Sequence, residues 1–247
     1  MEHKKSMRLD KAVAYYYPNI SRQQIQQWIK DGHVLVDGMI QKKTGFIVSA
    51  DSSLTVNAVI MPYVSRAGVK LAHALDHFAI DVTGLTALDA GLSTGGFSDC
   101  LLQRGAIKIF GVDVGHDQVH PRLAKDPRLV VMEGINLKEL QTLPESVDIV
   151  TLDLSFISVL KVMGAVERFL KPGGMTIVLI KPQFESGIEH RGKKGIITDP
   201  KVHHMVIDAV MQGVVSHGFE CKGIIESPLL GGSGNKEFLG FFVKSVR

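Results

Sequence analysis

Beyond Pro62 the chain alternates short apolar runs with segments of helix length, and this alternation restricts the fold more than any other feature. The runs are residues 85–90, 107–114, 129–132, 147–152 and 175–180, and the segments between them include 97–104 and 156–170. Strands that alternate with helices pair in parallel, because each crossover helix carries the chain back to the same end of the sheet. Both faces of such a sheet are then covered, and its strands read as continuous apolar runs. Two later runs, 223–225 and 238–243, have no long helix between them. They predict an antiparallel pair closing one sheet edge.

Residues 1–60 follow another pattern. Leu9, Val13, Tyr16 and Tyr17 have helical spacing within 8–17. Asn19 or Ser21 can cap a second helix over 22–30, which Gly32 stops. Asp37-Gly38 between 33–36 and 39–42 predicts a hairpin, and 54–56 a further strand. The expected division is therefore 1–60 and 61–247. Trp28 is expected to pack in the core of the first part, while Tyr15, Tyr16 and Tyr17 suit either core or a stacking surface.

The 247 residues are 45% hydrophobic and 21% charged, enough apolar material for a real core and too little charge for bulk disorder. The net charge of +3 permits nucleic-acid binding without demanding it. Its distribution says more: Lys4, Lys5, Arg8, Lys11, Arg22, Lys30, Lys42 and Lys43 all fall in the first part, where they suit phosphate contacts. No apolar run is long enough for a membrane helix, and the N-terminal residues lack an apolar core of the secretory type, so a cytoplasmic protein is expected. Cys100 and Cys221 and the ten histidines show no metal-ligand spacing, and no metal is expected.

Asp89-Ala90-Gly91-Leu92-Ser93-Thr94-Gly95-Gly96-Phe97 ends one strand and opens a helix. Glycines there let backbone approach a ligand closely, and ligands of open α/β sheets sit at the carboxyl ends of strands. Asp113 ends the next run, where an acid can accept both hydroxyls of a ribose. A dinucleotide site needs glycine where Ser93 stands, whereas a nucleoside-type cofactor without a pyrophosphate tolerates serine. Asp153 follows the run 147–152 and Lys181 the run 175–180, beside the same turn. Charges that terminate buried strands are costly unless paired, so this pair points to a site. Asp148 is read as preceding its strand and receives no role.

With these residues in view, the sequence resembles the TlyA (hemolysin A-like) family of ribosomal RNA 2′-O-methyltransferases, which joins an S4 RNA-binding domain to an FtsJ (RrmJ)-type methyltransferase domain. The resemblance runs through Arg8-Leu9-Asp10, Ser21-Arg22, Gly32 to Gly38, Ser65 to Leu71, Leu152 to Ser158, Leu179 to Glu185, Gly192 to Gly195, and Gly234 to Phe238. It implies a Rossmann-like class I methyltransferase fold, α/β with a mostly parallel seven-stranded sheet, preceded by a small α+β S4 domain. It implies a catalytic tetrad of Lys70, Asp153, Lys181 and Glu237. It also implies S-adenosyl-L-methionine as cofactor, held by Asp89, Gly91, Ser93, Thr94, Gly95, Gly96, Phe97, Asp113, Val114, Asn136 and Asp153. RNA would meet Arg8, Ser21, Arg22, Gln23, Gln26 and Arg66, with Lys193 and Lys194 in a basic loop. The acceptor would be a ribose 2′-OH, of cytidine, in ribosomal RNA or ribosomal subunits.

The family pattern is departed from at three places: Ala67 replaces a glycine, Leu92 a smaller residue, and the pair Leu137-Lys138 the arginine that often follows the asparagine. Ala67 would alter the approach of RNA and Leu92 the fit of the cofactor. The tetrad leaves two roles open for Lys181: general base toward the 2′-OH, or a donor that holds the oxygen in line and stabilises developing alkoxide. A membrane-active hemolysin, a non-catalytic RNA-binding factor and a dehydrogenase are the competing function classes.

Overall fold

The computed structural model describes residues 6–18, 20–58, 61–187, 190, 192 and 195–246. The chain divides into two compact units, Met1–Ile60 and Met61–Arg247.

In the first unit, β1 (Met7–Arg8) leads into α1 (Leu9–Tyr16), and α2 (Arg22–Asp31) follows. Ser21 caps α2, its Oγ accepting from Gln24 N–H at 3.2 Å, and Gly32 ends it in the left-handed region at φ 84°. Asn19, the other candidate cap, lies outside the described residues. Asp37 (φ 50°) and Gly38 (φ 78°) make the tight turn between β2 (Val34–Val36) and β3 (Met39–Ile40). Next come β4 (Ile47–Val48) and β5 (Leu54–Val56), the latter antiparallel to β2. Leu9, Val13, Ile25, Trp28 and Ile29 of the helices pack on Val34, Val36, Val48 and Leu54 of the strands. Tyr17 meets Trp28 edge-on, whereas Tyr15 is exposed. The antiparallel pairing of β1 with β4 is not marked in the sequence. Strands of two residues carry no readable period, and this one takes Arg8 out of the helix expected from 8 to 17.

The second unit holds α3 (Arg66–His77), β6 (Thr86–Ala90), α4 (Gly96–Gln103), β7 (Lys108–Val112), β8 (Leu129–Met132), β9 (Val147–Leu152), α5 (Met163–Phe169) and β10 (Leu170–Ile180). It ends with α6 (Pro182–Glu185), α7 (Pro200–Ser216), β11 (Phe219–Glu226) and β12 (Phe238–Lys244). The seven strands lie in the order β11-β12-β10-β9-β6-β7-β8. Strands β10, β9, β6, β7 and β8 are mutually parallel, and β12 is antiparallel to both of its neighbours. Alternating residues feed two cores: Leu88, Phe110, Val150 and Val178 enter one, and Ala87, Ile109, Ile149 and Ile177 the other.

Two expectations need correction. Residues 156–170 do not form one helix. A single 3₁₀ turn, Val159–Val162, precedes the shorter α5, and its first N–H is taken by the Glu185 carboxylate at 2.9 Å. Asp148 lies inside β9 rather than before it. It accepts from Lys171 Nζ at 2.6 Å and from Thr86 N–H at 2.9 Å, at the amino end of the sheet and opposite the carboxyl ends considered next.

Candidate active site

The carboxyl ends of β6, β7 and β9 meet around a cavity of about 480 Å³, within the size range of nucleoside-type ligand sites. Its floor depends on Gly91, at φ 87°. A Cβ there would stand 2.8 Å from the Asp153 carbonyl carbon and closer still to its oxygen. Only glycine permits the ends of β6 and β9 to lie so close. Asp113 follows β7, and backbone fixes its carboxylate: Oδ2 accepts from Ser93 N–H and Oδ1 from Gly115 N–H, both at 2.7 Å. Ser93 makes its bond from φ 45°, a conformation uncommon outside glycine.

The cavity is lined by six of the residues expected at a cofactor: Gly91, Ser93, Asp113, Val114, Asn136 and Asp153. Asp89, Thr94, Gly95, Gly96 and Phe97 are placed elsewhere. Asp89 is fully buried and accepts from Ser98 Oγ at 2.6 Å and Thr151 Oγ1 at 2.8 Å, so it ties β6 to α4 and β9. Burial raises its pKa to about 6 against those hydrogen bonds. Phe97 is core, Gly95 caps α4 at φ 91°, and Thr94 is exposed with its carbonyl taken by His120 N–H. Gly96 packs against Ser65 and Ala67, so the Ala67 methyl contributes to the seam between α3 and α4. Leu92 is buried in the space left open by Gly111 and does not line the cavity.

The four tetrad residues form two ion pairs. Lys181 Nζ lies 2.7 Å from Asp153 Oδ1, and Lys70 Nζ lies 2.5 Å from Glu237 Oε2. Lys70, Lys181 and Glu237 are all buried. Topology explains the grouping. Ile180 pairs with Phe238 across β10 and β12, so Lys181 and Glu237 leave adjacent strands at the same level. Helix α3 packs on α4 and β12 and carries Lys70 to Glu237. Gly68 of the same helix leaves room for the Tyr63 ring, which a Cβ there would strike.

Two residues at the site escaped the sequence reading. Ser155 Oγ accepts from Lys181 Nζ at 3.0 Å and lines the cavity. Phe156, also on the lining, is 90% exposed at φ 65°. Its ring lies 5.0 Å from that of Phe184, which in turn lies 5.9 Å from Lys181 Nζ. A bulky residue in the left-handed region costs about 1–3 kcal/mol and persists where surrounding structure imposes it. Glu185 supplies part of that constraint by accepting from Val159 N–H, and burial raises its pKa. The signal available in sequence was an aromatic three residues after the strand-end acid, within Asp153-Leu154-Ser155-Phe156.

Of the residues expected to meet RNA, Ser21 is the α2 cap, Gln23 is exposed, and Arg8 and Arg22 both reach the Asp10 carboxylate. Arg66 is exposed and donates to the Leu230 carbonyl at 3.4 Å. Lys193 and Lys194 lie outside the described residues, as do Lys4 and Lys5. Buried Asn235 accepts from Ile197 N–H at 2.8 Å and donates to the Gly195 carbonyl at 3.2 Å, both just after Lys194 in the chain. Among the described residues no cluster suited to a metal ion occurs, and no helix is long and apolar enough to cross a membrane.

Comparison with known proteins agrees with this architecture. Residues 63–244 match the FtsJ-like methyltransferase family, and residues 7–53 match the S4 domain. The 16S/23S rRNA (cytidine-2′-O)-methyltransferase TlyA of Mycobacterium tuberculosis is 40% identical over 221 residues, covering 88% of this chain and 82% of that protein. Hemolysin A of Brachyspira hyodysenteriae is 36% identical over 241 residues, covering 96% of this chain and all of that protein. A solved structure from Streptococcus thermophilus, 34% identical, superposes with a TM-score of 0.76 over 98% of this chain and 90% of its own. The chain belongs to the TlyA (hemolysin A-like) family, an S4 domain joined to an FtsJ-like methyltransferase domain.

Proposed function

We propose that this protein is an S-adenosylmethionine-dependent methyltransferase acting on a ribose 2′-OH, of cytidine, in ribosomal RNA. The observation that carries the reading is that Asp153 belongs to two structures at once: it lines the nucleoside-sized cavity and it pairs with Lys181. The residues present fit the cofactor. Gly91 leaves backbone open to close approach, and Asp113, held by two backbone N–H groups, keeps lone pairs for a ribose diol. Val114 and Asn136 complete the cofactor wall. When bound, the cofactor would supply an electrophilic sulfonium methyl group, whose carbon bonds to an in-line oxygen as its C–S bond breaks and the neutral thioether leaves.

A hydroxyl is a poor nucleophile, so the chain's task is to place and stabilise the acceptor oxygen. As an ammonium, Lys181 has three N–H donors. Asp153 and Ser155 take two, leaving one for the ribose oxygen. Lys181 thus orients the oxygen and stabilises the charge that develops on it, with the hydroxyl proton passing late to solvent water. Glu237 and Lys70 fill the space beside it with a paired, neutral unit. Residues 1–60 act as the RNA-binding domain and 61–247 as the methyltransferase domain. A ribosomal RNA substrate makes the protein cytoplasmic.

The exposed Phe156 ring serves the acceptor nucleotide: a base taken out of its stack needs an aromatic face, and this ring stands on the cavity wall. Phe156→Ala is expected to slow methyl transfer about 10–100-fold, the loss of one stacked base, with a much smaller loss of cofactor affinity. Isothermal titration and single-turnover transfer check the two halves separately.

The reading as a whole is tested by incubating the protein with methyl-labelled S-adenosylmethionine and unmodified ribosomal subunits. Label is expected in RNA as alkali-stable, ribose-methylated dinucleotides. Label on a base, or none on RNA, overturns it.

A further inference from the structure

We propose that Asp10, a carboxylate buried in the first unit, is a positioning residue for RNA: it fixes the Arg8 and Arg22 guanidinium groups as one preformed pair. The inference rests on the reading that this unit binds RNA.

Asp10 sits in the first turn of α1 with no side-chain exposure. Its own N–H is anchored on the Thr44 carbonyl at 3.1 Å. Arg8 grips the carboxylate with a fork, Nε to Oδ1 at 3.0 Å and Nη2 to Oδ2 at 2.9 Å. Arg22 Nη2 reaches the same Oδ2 at 3.4 Å, and Gln26 adds a further hydrogen bond. Hydrogen bonding from Arg8 prevails over burial and holds the carboxyl at about 2, well below its usual value, so it stays ionised at neutral pH. The arginines remain open to water on their other sides, with side chains 45% and 68% exposed. Arg8 stands in extended backbone immediately before α1 and Arg22 opens α2, so one buried oxygen joins the starts of two helices.

A buried carboxylate on a basic surface has a cost if charge alone governs RNA binding. Two guanidinium groups and one carboxylate leave a single net positive charge, so Asp10 halves the attraction. What it supplies in return is order. Long arginine side chains are mobile, and a phosphate contact made by a freely moving one loses that motion on binding. Anchored on Asp10, both present N–H groups in fixed directions and at fixed separation, as a rigid RNA backbone requires. The two views therefore predict opposite signs for the removal of Asp10.

The test uses the full chain and protein-free ribosomal RNA, titrated between about 50 and 200 mM salt. Asp10→Asn keeps the shape and removes the charge. About tenfold weaker binding is expected, with a shallower salt dependence because two phosphate contacts are compromised. Equal or tighter binding by a folded variant overturns the proposal. Trp28, the single tryptophan, lies in the core of this unit and reports its folding by fluorescence. Should Asp10→Asn unfold the unit, Arg8→Lys decides instead: it keeps the charge and loses the fork, and wild-type affinity in that variant is the overturning result. A purely structural role is separated by a cycle. In an Arg8→Gln/Arg22→Gln background, Asp10→Asn should cost nothing further, and a full additional loss contradicts action through the arginines. If the double arginine variant binds RNA as well as wild type, the RNA-binding reading of the unit falls and takes this inference with it. If that variant loses binding and Asp10→Asn does not, only the positioning role falls.

Discussion

Lys181→Ala is expected to lower the rate of methyl transfer by about 10²–10⁴-fold, the range for removing a positioned proton-handling or charge-stabilising group. S-adenosylmethionine affinity should change by no more than about threefold, since an interaction made only in the transition state leaves ground-state binding intact. Lys181 does not line the cavity and touches it only through Asp153 and Ser155. The variant leaves Asp153 without its ion-pair partner in a setting that is only partly exposed, a cost moderated by water entering the vacated space. Labelled transfer to ribosomal subunits, beside calorimetric titration of the cofactor, separates the two quantities. Transfer at the wild-type rate removes Lys181 from the mechanism and with it the proposed tetrad.

Gly91→Ala is expected to have the second large effect, reached by a different route. The position demands φ 87°, and the added methyl would overlap the Asp153 carbonyl. The obstructing atoms are backbone at the carboxyl end of a parallel pair, Asp153 N–H itself donating to the Ala90 carbonyl at 2.9 Å, so they have little freedom to yield. Parting β6 from β9 would shift the cofactor wall and the carboxylate that holds Lys181 in one movement. Cofactor affinity should fall by about 100-fold or more, equivalent to roughly 3 kcal/mol, and transfer should become undetectable. Gly84→Ala is the control. That glycine has φ 75° with open space where the methyl would stand, so the substitution introduces the same class of backbone strain without the collision. A lowered melting temperature with normal cofactor binding is expected there. Equal losses of affinity in both variants would mean that strain, rather than the approach of Gly91 to Asp153, controls the site.

Much of this arrangement was legible in the residues. Apolar runs between Pro62 and Ile180 located the parallel strands, because strands buried on both faces cannot alternate with polar residues. Asp153 and Lys181 stood out for the same reason: a charge directly after such a run must find a partner, and each found the other. The antiparallel closing pair was readable from the missing helix between its strands, and Gly32 and Asp37-Gly38 marked their turns through backbone requirements that few other residues meet.

Other features were not legible, for identifiable reasons. The glycine-rich turn reads as one continuous ligand motif, yet only Gly91 and Ser93 of its residues line the cavity. A chain that reverses from strand to helix alternates between facing a ligand and facing the core, and the sequence does not mark which residue does which. Asp89 illustrates the point, a strand-end acid like Asp113 whose oxygens are spent on Ser98 and Thr151. Phe156 falls in a segment of helix length, yet its ring stands exposed ahead of a 3₁₀ turn whose first N–H is captured by Glu185, distant in sequence.

By itself, then, the sequence determined the strand count on the parallel side, the turns, and the two charges at strand ends. These follow from local periodicity and from the cost of burying backbone and charge. Tertiary structure alone decided partners: Lys70 with Glu237 across 167 residues, Ser155 beneath Lys181, and Arg8 with Arg22 on the carboxylate of Asp10. A side chain's chemistry is local, but the atom it meets depends on strand order and helix packing, which no single stretch of sequence contains.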